Sequence, residues 1–414
     1  MNDNLQRAKK ILVRINDLAS ITEEHGCVTR TYGSPAFVKG QSLVKAWMDE
    51  AGLQSSIDAI GNVRGKLVSN YKDAKTFVIG SHIDTVVDAG KFDGPLGVIM
   101  GIDLLENLSQ SKITLPFNIE LIAFCDEEGV RFQTTFLGSK AVSGTFDKNI
   151  LVKRDKHEIT LKEAIQSIGG DVTKIDKEVI PKDEWLGYFE IHIEQGPVLY
   201  QKNIPVALVA AIAGQCRVEI TFTGVAGHAG TVPMDMRKDA LCCASEFVQA
   251  TEAFAFAHKD NLVATIGKLD IIHAASNVIP GKVVCSLDIR SADAGILKSS
   301  IESVKRKCEE ICNARNIIMT WKEILQTQPV ICDEGLNTLL TQSITEKNYE
   351  LVSLVSGAGH DAVPISEVAP VSMLFVRCFE GISHNPLENA ELKDIAAAVE
   401  VSDHFLNQLI LNNT

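Results

Sequence analysis

Six side chains able to bind a metal or move a proton fall in four short stretches of the chain. His82 and Asp93 lie in Gly80-Ser-His-Ile-Asp-Thr-Val-Val-Asp-Ala-Gly-Lys-Phe-Asp-Gly94, and Glu127 and Glu128 in Asp126-Glu-Glu-Gly129. His192 opens His-Ile-Glu-Gln-Gly196, and His384 stands in Gly381-Ile-Ser-His-Asn-Pro386. Imidazoles and carboxylates suit borderline divalent cations such as Zn²⁺ or Mn²⁺. Two histidines on one ion, one on a second and a carboxylate between them would form a paired site. Two ions about 3.5–4 Å apart can polarise an amide carbonyl and supply a nucleophile at neutral pH. Taken singly, each residue has a plain alternative. A lone histidine is more often structural, and a Glu-Glu pair is usually solvated surface. Asp84, two residues after His82, is placed to orient that imidazole, with a turn-forming Asp as the alternative.

The elements that must position these groups follow from the apolar pattern. Thr76-Phe-Val-Ile-Gly80 reads as a buried parallel strand, so His82 lies just beyond its carboxyl end, where open α/β sheets place their sites. Helical spacing covers residues 5–19, and a second helix runs from Gln41 to Ala51. Then come a helix at Pro95–Leu108, strands at Ile119–Phe124 and Gly187–Ile193, and a charged excursion with one short helix from Lys148 to Trp185. This alternation predicts a mostly parallel sheet flanked by helices, an α/β fold. From about residue 214 to 329 the rhythm changes to strand (Arg217–Thr223), helix (Met236–Ala257), strand (Leu262–Ile271), strand (Lys282–Ile289), helix (Ala294–Asn313) and strand (Ile317–Trp321). That order is the ferredoxin-like α+β unit, inserted here into the first domain. The expected domains are therefore 1–213 with 330–414, and 214–329. After the insertion the α/β rhythm returns, with a helix at 335–346, strands at Leu351–Val355 and Val371–Val376, and a last helix at 392–411.

Bulk composition narrows the function. A chain of 414 residues exceeds the size of a single core. Its net charge of −13 lacks the basic footprint that nucleic acid requires. No uncharged apolar stretch approaches the roughly 20 residues that span a bilayer, so no membrane association is expected. The ten cysteines include no Cys-x-x-Cys pair, and the charged N-terminus lacks a secretory apolar core. Reduced, mostly buried thiols in a cytoplasmic protein are the expectation.

With the later Asp93-Gly94, the motifs Gly-Ser-His-Ile-Asp-Thr-Val, Asp126-Glu-Glu-Gly129, His192-Ile-Glu-Gln-Gly196 and Ile382-Ser-His-Asn-Pro386 resemble the dinuclear-metal aminoacylase/carboxypeptidase superfamily. More narrowly they resemble its hydantoinase/carbamoylase-type amidase branch. Phe132-Gln-Thr-Thr-Phe-Leu-Gly-Ser139, Ala213-Gly-Gln215 and Gly227-His-Ala-Gly-Thr-Val-Pro-Met234 are most similar to the allantoate amidohydrolase group. The resemblance implies a catalytic α/β domain interrupted by a lid that dimerises. It implies two divalent ions per subunit, Mn²⁺ or Zn²⁺ with Co²⁺ as a further option. His82, Asp93 and His192 would hold one ion, and Asp93, Glu128 and His384 the other. Glu127 would be the general base.

The same resemblance gives roles to the inserted domain. His228 would stabilise the oxyanion in the partner subunit's site, with a capping or packing histidine before the following helix as the alternative. Arg290, at the end of an apolar strand, offers a planar fork to a substrate carboxylate. Asn277 would meet the same end of the substrate, and Gln195 and Arg217 are further ureido or carboxylate contacts. Gly357-Ala-Gly359-His-Asp-Ala362 satisfies a dinucleotide-loop pattern, but little βαβ sequence follows it and Asp361 would face the pyrophosphate. His360 is read instead as a substrate contact. The implied reaction is hydrolysis of a ureido C–N bond beside a carboxylate, with allantoate favoured. N-carbamoyl-L-amino acids and ureidoglycolate are the alternative substrates, and a metal-dependent binding protein is the rival from another class. A peptidase is disfavoured, because peptidase members of the superfamily use an acid where His192 stands.

Overall fold

The computed structural model describes residues 3–111 and 113–413. The chain forms two compact units, Met1–Ala210 with Cys332–Thr414, and Ala211–Ile331.

The large sheet runs in the order Gln54–Ile57, Val63–Leu67, Asn118–Phe124, Thr76–His82, Trp185–Ile193, Val371–Val376, Val206–Ile212 and Val330–Ile331, with Ser353–Ser356, near the expected Leu351–Val355, also pairing with Val206–Ile212. The four central strands are mutually parallel, and the pairings at either side are antiparallel. Parallel pairing brings the carboxyl ends of these four strands to one edge of the sheet. Every residue of Thr76–His82 and of Val371–Val376 is buried. That explains why they read as continuous apolar runs rather than alternating ones: helices cover the sheet. Pro95–Ser111 packs on Thr76–His82 and Trp185–Ile193, and Asp3–Ala19 and Leu392–Asn412 pack against that helix in turn. One apolar core, with Phe77, Phe189 and Phe405 among its largest members, joins these elements.

Several boundaries differ from the sequence reading for identifiable reasons. The second helix begins at Pro35, not Gln41, because Ser34 caps the N–H of Phe37 and Pro35 occupies the first turn. Strands Gln54–Ile57, Val63–Leu67 and Val206–Ile212 were not assigned from sequence. The first is too short and polar to carry a period, and the last is an unbroken apolar run that periodicity cannot classify. The excursion before Trp185 holds the expected short helix, Leu161–Ser167, closed by a Thr160–Glu163 capping box.

The second unit is a four-stranded antiparallel sheet in the order Ile318–Gln326, Gly214–Thr223, Lys282–Ser291, Val263–Ile271. Helices Ala240–Ala257 and Ala294–Ala314 complete the β-α-β-β-α-β arrangement. The first of these starts at Ala240 rather than Met236. Asp239 accepts the N–H groups of Leu241 and Cys242, while Met234–Met236 is a separate 3₁₀ turn. The apolar Met236 had mimicked a helical position. Alternate residues of Gly214–Thr223, from Cys216 to Phe222, face a core shared with both helices.

Candidate metal centre

The candidate ligands lie at the ends of the four parallel strands or in the loops that leave that edge of the sheet. His82 is the last residue of its strand, His192 the penultimate residue of another, and Glu127-Glu128 follow Phe124 by three residues. His384 lies in the loop between Val371–Val376 and Leu392–Asn412. The backbone is held in the left-handed region at Asp126 (φ 52°), Gln195 (φ 55°) and His384 (φ 53°). For non-glycine residues this costs about 1–2 kcal/mol each, the kind of strain that clusters at functional sites. Gly94 (φ 80°) cannot be replaced: a Cβ there would lie 2.5 Å from the His82 ring.

Asp93 is the hub. Its Oδ1 lies 3.2 Å from His192 Nε2 and 3.6 Å from His82 Nε2, and its Oδ2 lies 3.2 Å from His384 Nε2. His384 Nε2 is also 3.3 Å from Glu128 Oε1. Donor atoms of His82, Asp93 and His192 all lie within 4.8 Å of one another, as do those of Asp93, Glu128 and His384. His82, Glu127 and Glu128 form a further such group. The structure therefore brings all five proposed ligands and Glu127 together.

The donor set fits divalent metal. His82 donates Nδ1–H to the Asp84 carbonyl at 3.0 Å, and His192 donates Nδ1–H to the Ile193 carbonyl at 2.9 Å. Each ring thereby turns its Nε2 toward Asp93, leaving that nitrogen to a metal once its proton is displaced, the arrangement that metal-ligating histidines adopt. Electrostatics point the same way. Burial opposes a charged His82, yet its hydrogen bond to Asp93 and the charges of Glu127, Asp84 and Glu128 hold its pKa well above the usual imidazole value. His192 is raised against the same burial cost by Asp93 and Glu190. Hydrogen bonds to Asp93 and Glu128 push His384 up to about 10. Burial would raise Asp93, but the three histidines hold it well below the carboxylate range. The pocket is built to retain positive charge. Burial lifts the Glu127 pKa well above normal, with His82 pulling it back, which keeps a proton within reach of this acid.

Asp84 meets the His82 imidazole through its main chain. Its backbone carbonyl orients His82, while its carboxylate lies 3.9 Å from that ring. The carboxylate instead accepts the backbone N–H groups of Glu127 and Glu128, each at 3.2 Å. Gln195, read as a substrate contact, donates Nε2–H to Asp93 Oδ2 at 2.6 Å. His360 is buried edge-on against His192, with ring centroids 4.6 Å apart, and its Nε2 lies 2.7 Å from the Ser356 hydroxyl. Burial and the neighbouring His192 keep it neutral.

The remaining candidates lie in the second unit. His228 is exposed, with Nδ1 accepting the Gly230 N–H. Asn277 stands beside it, its carbonyl accepting the Ala229 N–H next to the His228–Val278 pairing. Arg290 places Nε and one Nη on the two oxygens of Asp288, both at 2.8 Å, and Arg217 Nε meets the same carboxylate at 2.9 Å.

Four residues, three of them buried and Ser383 partly so, are not apparent from the sequence. Arg30 donates to the carbonyls of Ile83, Leu18 and Ile21, pinning the strand end beside His82. Glu190 accepts from the Tyr188 hydroxyl and from the N–H of Ala362, just after His360. Its signal was available: a carboxylate in the middle of an otherwise apolar strand. Ser383 and Glu388 flank His384, and nothing but burial separates Glu388 from a surface acid.

The chain is similar to known proteins along most of its length. Residues 78–408 match the family described as Peptidase family M20/M25/M40. Allantoate deiminase 1 of Glycine max is 38% identical, over 96% of this chain and 89% of its own length. The N-carbamoyl-L-amino-acid amidohydrolase of Pseudomonas sp. (strain NS671) is 35% identical, over 95% of this chain and 96% of its own. Among solved structures, a hydantoinase/carbamoylase family amidase from Burkholderia multivorans superposes with a TM-score of 0.89 at 31% identity, covering 97% of this chain and 98% of that one.

Proposed function

This chain belongs to the Peptidase family M20/M25/M40 and is a hydrolase, and we propose that it cleaves a ureido C–N bond beside a carboxylate, with allantoate as the favoured substrate. The products would be ureidoglycine, ammonia and carbon dioxide. The observation that carries this reading is the placement of Asp93 between the His82–His192 pair and the His384–Glu128 pair, with Glu127 buried alongside. The names of the relatives support ureido acids as the substrate class, and the higher identity to the allantoate deiminase favours allantoate over an N-carbamoyl-L-amino acid.

His82, Asp93 and His192 would hold one divalent ion, and Asp93, Glu128 and His384 the other; Mn²⁺, Zn²⁺ and Co²⁺ all suit these donors. When bound, the ions supply Lewis acidity toward the carbamoyl carbonyl and make water nucleophilic at neutral pH. Glu127 takes the proton from the attacking water and returns it to the leaving nitrogen, a role typically worth 10²–10⁴-fold in rate. Asp84 holds the backbone from which Glu127 projects. His360 is a neutral contact for the substrate, and Gln195 contacts the ureido group while steadying Asp93. Arg290 and Asn277 receive the carboxylate, Arg217 assists them, and His228 donates to the developing oxyanion. The second unit serves as the lid and as the contact of a homodimer. No described helix is long and apolar enough to cross a membrane.

The test is ammonia release by metal-stripped protein with and without each added cation, from allantoate and from N-carbamoyl-L-amino acids. Cation-dependent release from allantoate is expected. Release from the carbamoyl amino acids alone would overturn the choice of substrate.

A further inference from the structure

Glu388 is almost fully buried, yet it belongs to no ligand group. Its Oε1 accepts two backbone N–H groups, those of Phe92 at 2.7 Å and Asp93 at 3.1 Å. Its Oε2 lies 3.1 Å from the Ser383 hydroxyl, and that hydroxyl donates to Asp93 Oδ2 at 2.6 Å. One carboxylate thus fixes the main chain of the bridging ligand, and through Ser383 it also reaches that ligand's side chain. Ser383 immediately precedes His384, so the same contact anchors the loop carrying a second ligand. A turn aims the side chain back: the Glu388 N–H donates to the Asn385 carbonyl and the Leu387 N–H to the Asn385 side chain. The path of Glu388 runs over Gly90, where a Cβ would lie 2.3 Å from the Glu388 Cβ and 2.4 Å from its carboxyl carbon. No side chain other than hydrogen leaves room for it.

Asp93 and His384 are carried by separate loops, and 290 residues of sequence separate Ser383 from Asp93. His384 has a half-exposed side chain and a left-handed backbone, so little packing holds it in place. We propose that Glu388 is a positioning residue that locks the Asp93 loop to the His384 loop and thereby sets the affinity of the ion held by Asp93, Glu128 and His384. This inference rests on the two-ion reading above. It concerns the more exposed of the two ions, whose ligands come from loops rather than strand ends.

The experiment is titration of metal-stripped, full-length protein with Zn²⁺ or Mn²⁺ by calorimetry, read as a two-step isotherm, with circular dichroism to verify folding. Glu388→Ala is expected to weaken the second step about 10–100-fold, the usual consequence of losing a residue that orients metal ligands. The first step should change less. Glu388→Gln keeps an oxygen for both backbone N–H groups and should restore most of the affinity. Gly90→Ala displaces the carboxylate without removing it and should reproduce the loss, so the test survives if Glu388→Ala fails to fold. Two wild-type-like steps in both Glu388→Ala and Gly90→Ala would overturn the inference alone. A wild-type protein that binds fewer than two ions would overturn the two-ion reading and this inference with it.

Discussion

Asp84 receives the backbone N–H of Glu127 on its Oδ1 atom at 3.2 Å, and the N–H of Glu128 on Oδ2 at the same distance. One carboxylate just past a strand end thus sets the starting point of both the proposed general base and a proposed ligand. In Asp84→Asn only one of these N–H groups keeps an acceptor. A charge-assisted hydrogen bond is worth about 1.5–3 kcal/mol. The expected result is a kcat lowered about 10–100-fold, with metal content maintained. Steady-state kinetics with elemental analysis checks it, and an unchanged kcat would remove Asp84 from the mechanism.

Glu127→Gln leaves shape and burial intact and deletes only the proton acceptor. Activity is expected to fall by about 10²–10⁴-fold, while the protein still binds its ions with the stoichiometry of the wild type. Turnover that survives the substitution would assign the proton transfer to another group.

The fold and the candidate site differ in how far they can be read from the chain alone. The strand ending at His82 is legible because an unbroken apolar run stops at a polar, ligand-type residue. The inserted unit is legible because its period changes. What holds the ligands in place is not legible. Glu388 stands four residues after His384 in a stretch that reads as surface, and its burial arises from contacts with Phe92 and Asp93, distant in sequence. Gln195 reads as a substrate contact, and its hydrogen bond to Asp93 is not apparent from its sequence neighbours. The start of Ala240–Ala257 is not legible either, because Met236 repeats the apolar spacing and only the geometry reveals the Asp239 cap.

Cysteine accessibility offers a direct check on packing. Of ten free thiols, Cys242 is exposed, Cys27 is intermediate and the rest are buried. Cys243, next to the exposed one, faces inward with its sulfur 3.6 Å from that of Cys312. Titration of the native protein with a thiol reagent is expected to give one fast and one slow modification, and the other eight only on denaturation. Rapid labelling of more than two would show that the cores of the two units are not packed as described.

Arg290 is preorganised by Asp288, which occupies one edge of its guanidinium fork. A lysine cannot reproduce two parallel donors to a carboxylate. Arg290→Lys is therefore expected to raise KM for the ureido acid about 10–100-fold with a smaller effect on kcat. A KM equal to that of the wild type, in a variant with an unaltered melting profile, would free the substrate carboxylate for another partner.

Protons and divalent cations compete for the same nitrogens, and this fixes the sign of the pH dependence. His384 titrates near 10 in the metal-free protein, against an ordinary value of 6.5, because Asp93 and Glu128 hold its proton. His82 and His192 are shifted upward too. Between pH 7 and 9 an incoming cation must displace these protons, so binding releases them and affinity climbs with pH. Folding responds in the opposite sense. A raised histidine stabilises the metal-free fold fully below about pH 6.5, and that contribution is lost as pH rises through about 10. Calorimetry at pH 8 in buffers of different ionisation enthalpy should therefore give apparent enthalpies that depend on the buffer, with at least one proton released per protein. Melting midpoints of chelator-treated protein should fall from pH 6.5 toward pH 10, and loading with metal should reduce that fall. Buffer-independent enthalpies together with a flat melting profile would mean that these three imidazoles are neutral in the metal-free protein and that the charge balance around Asp93 is not the one described.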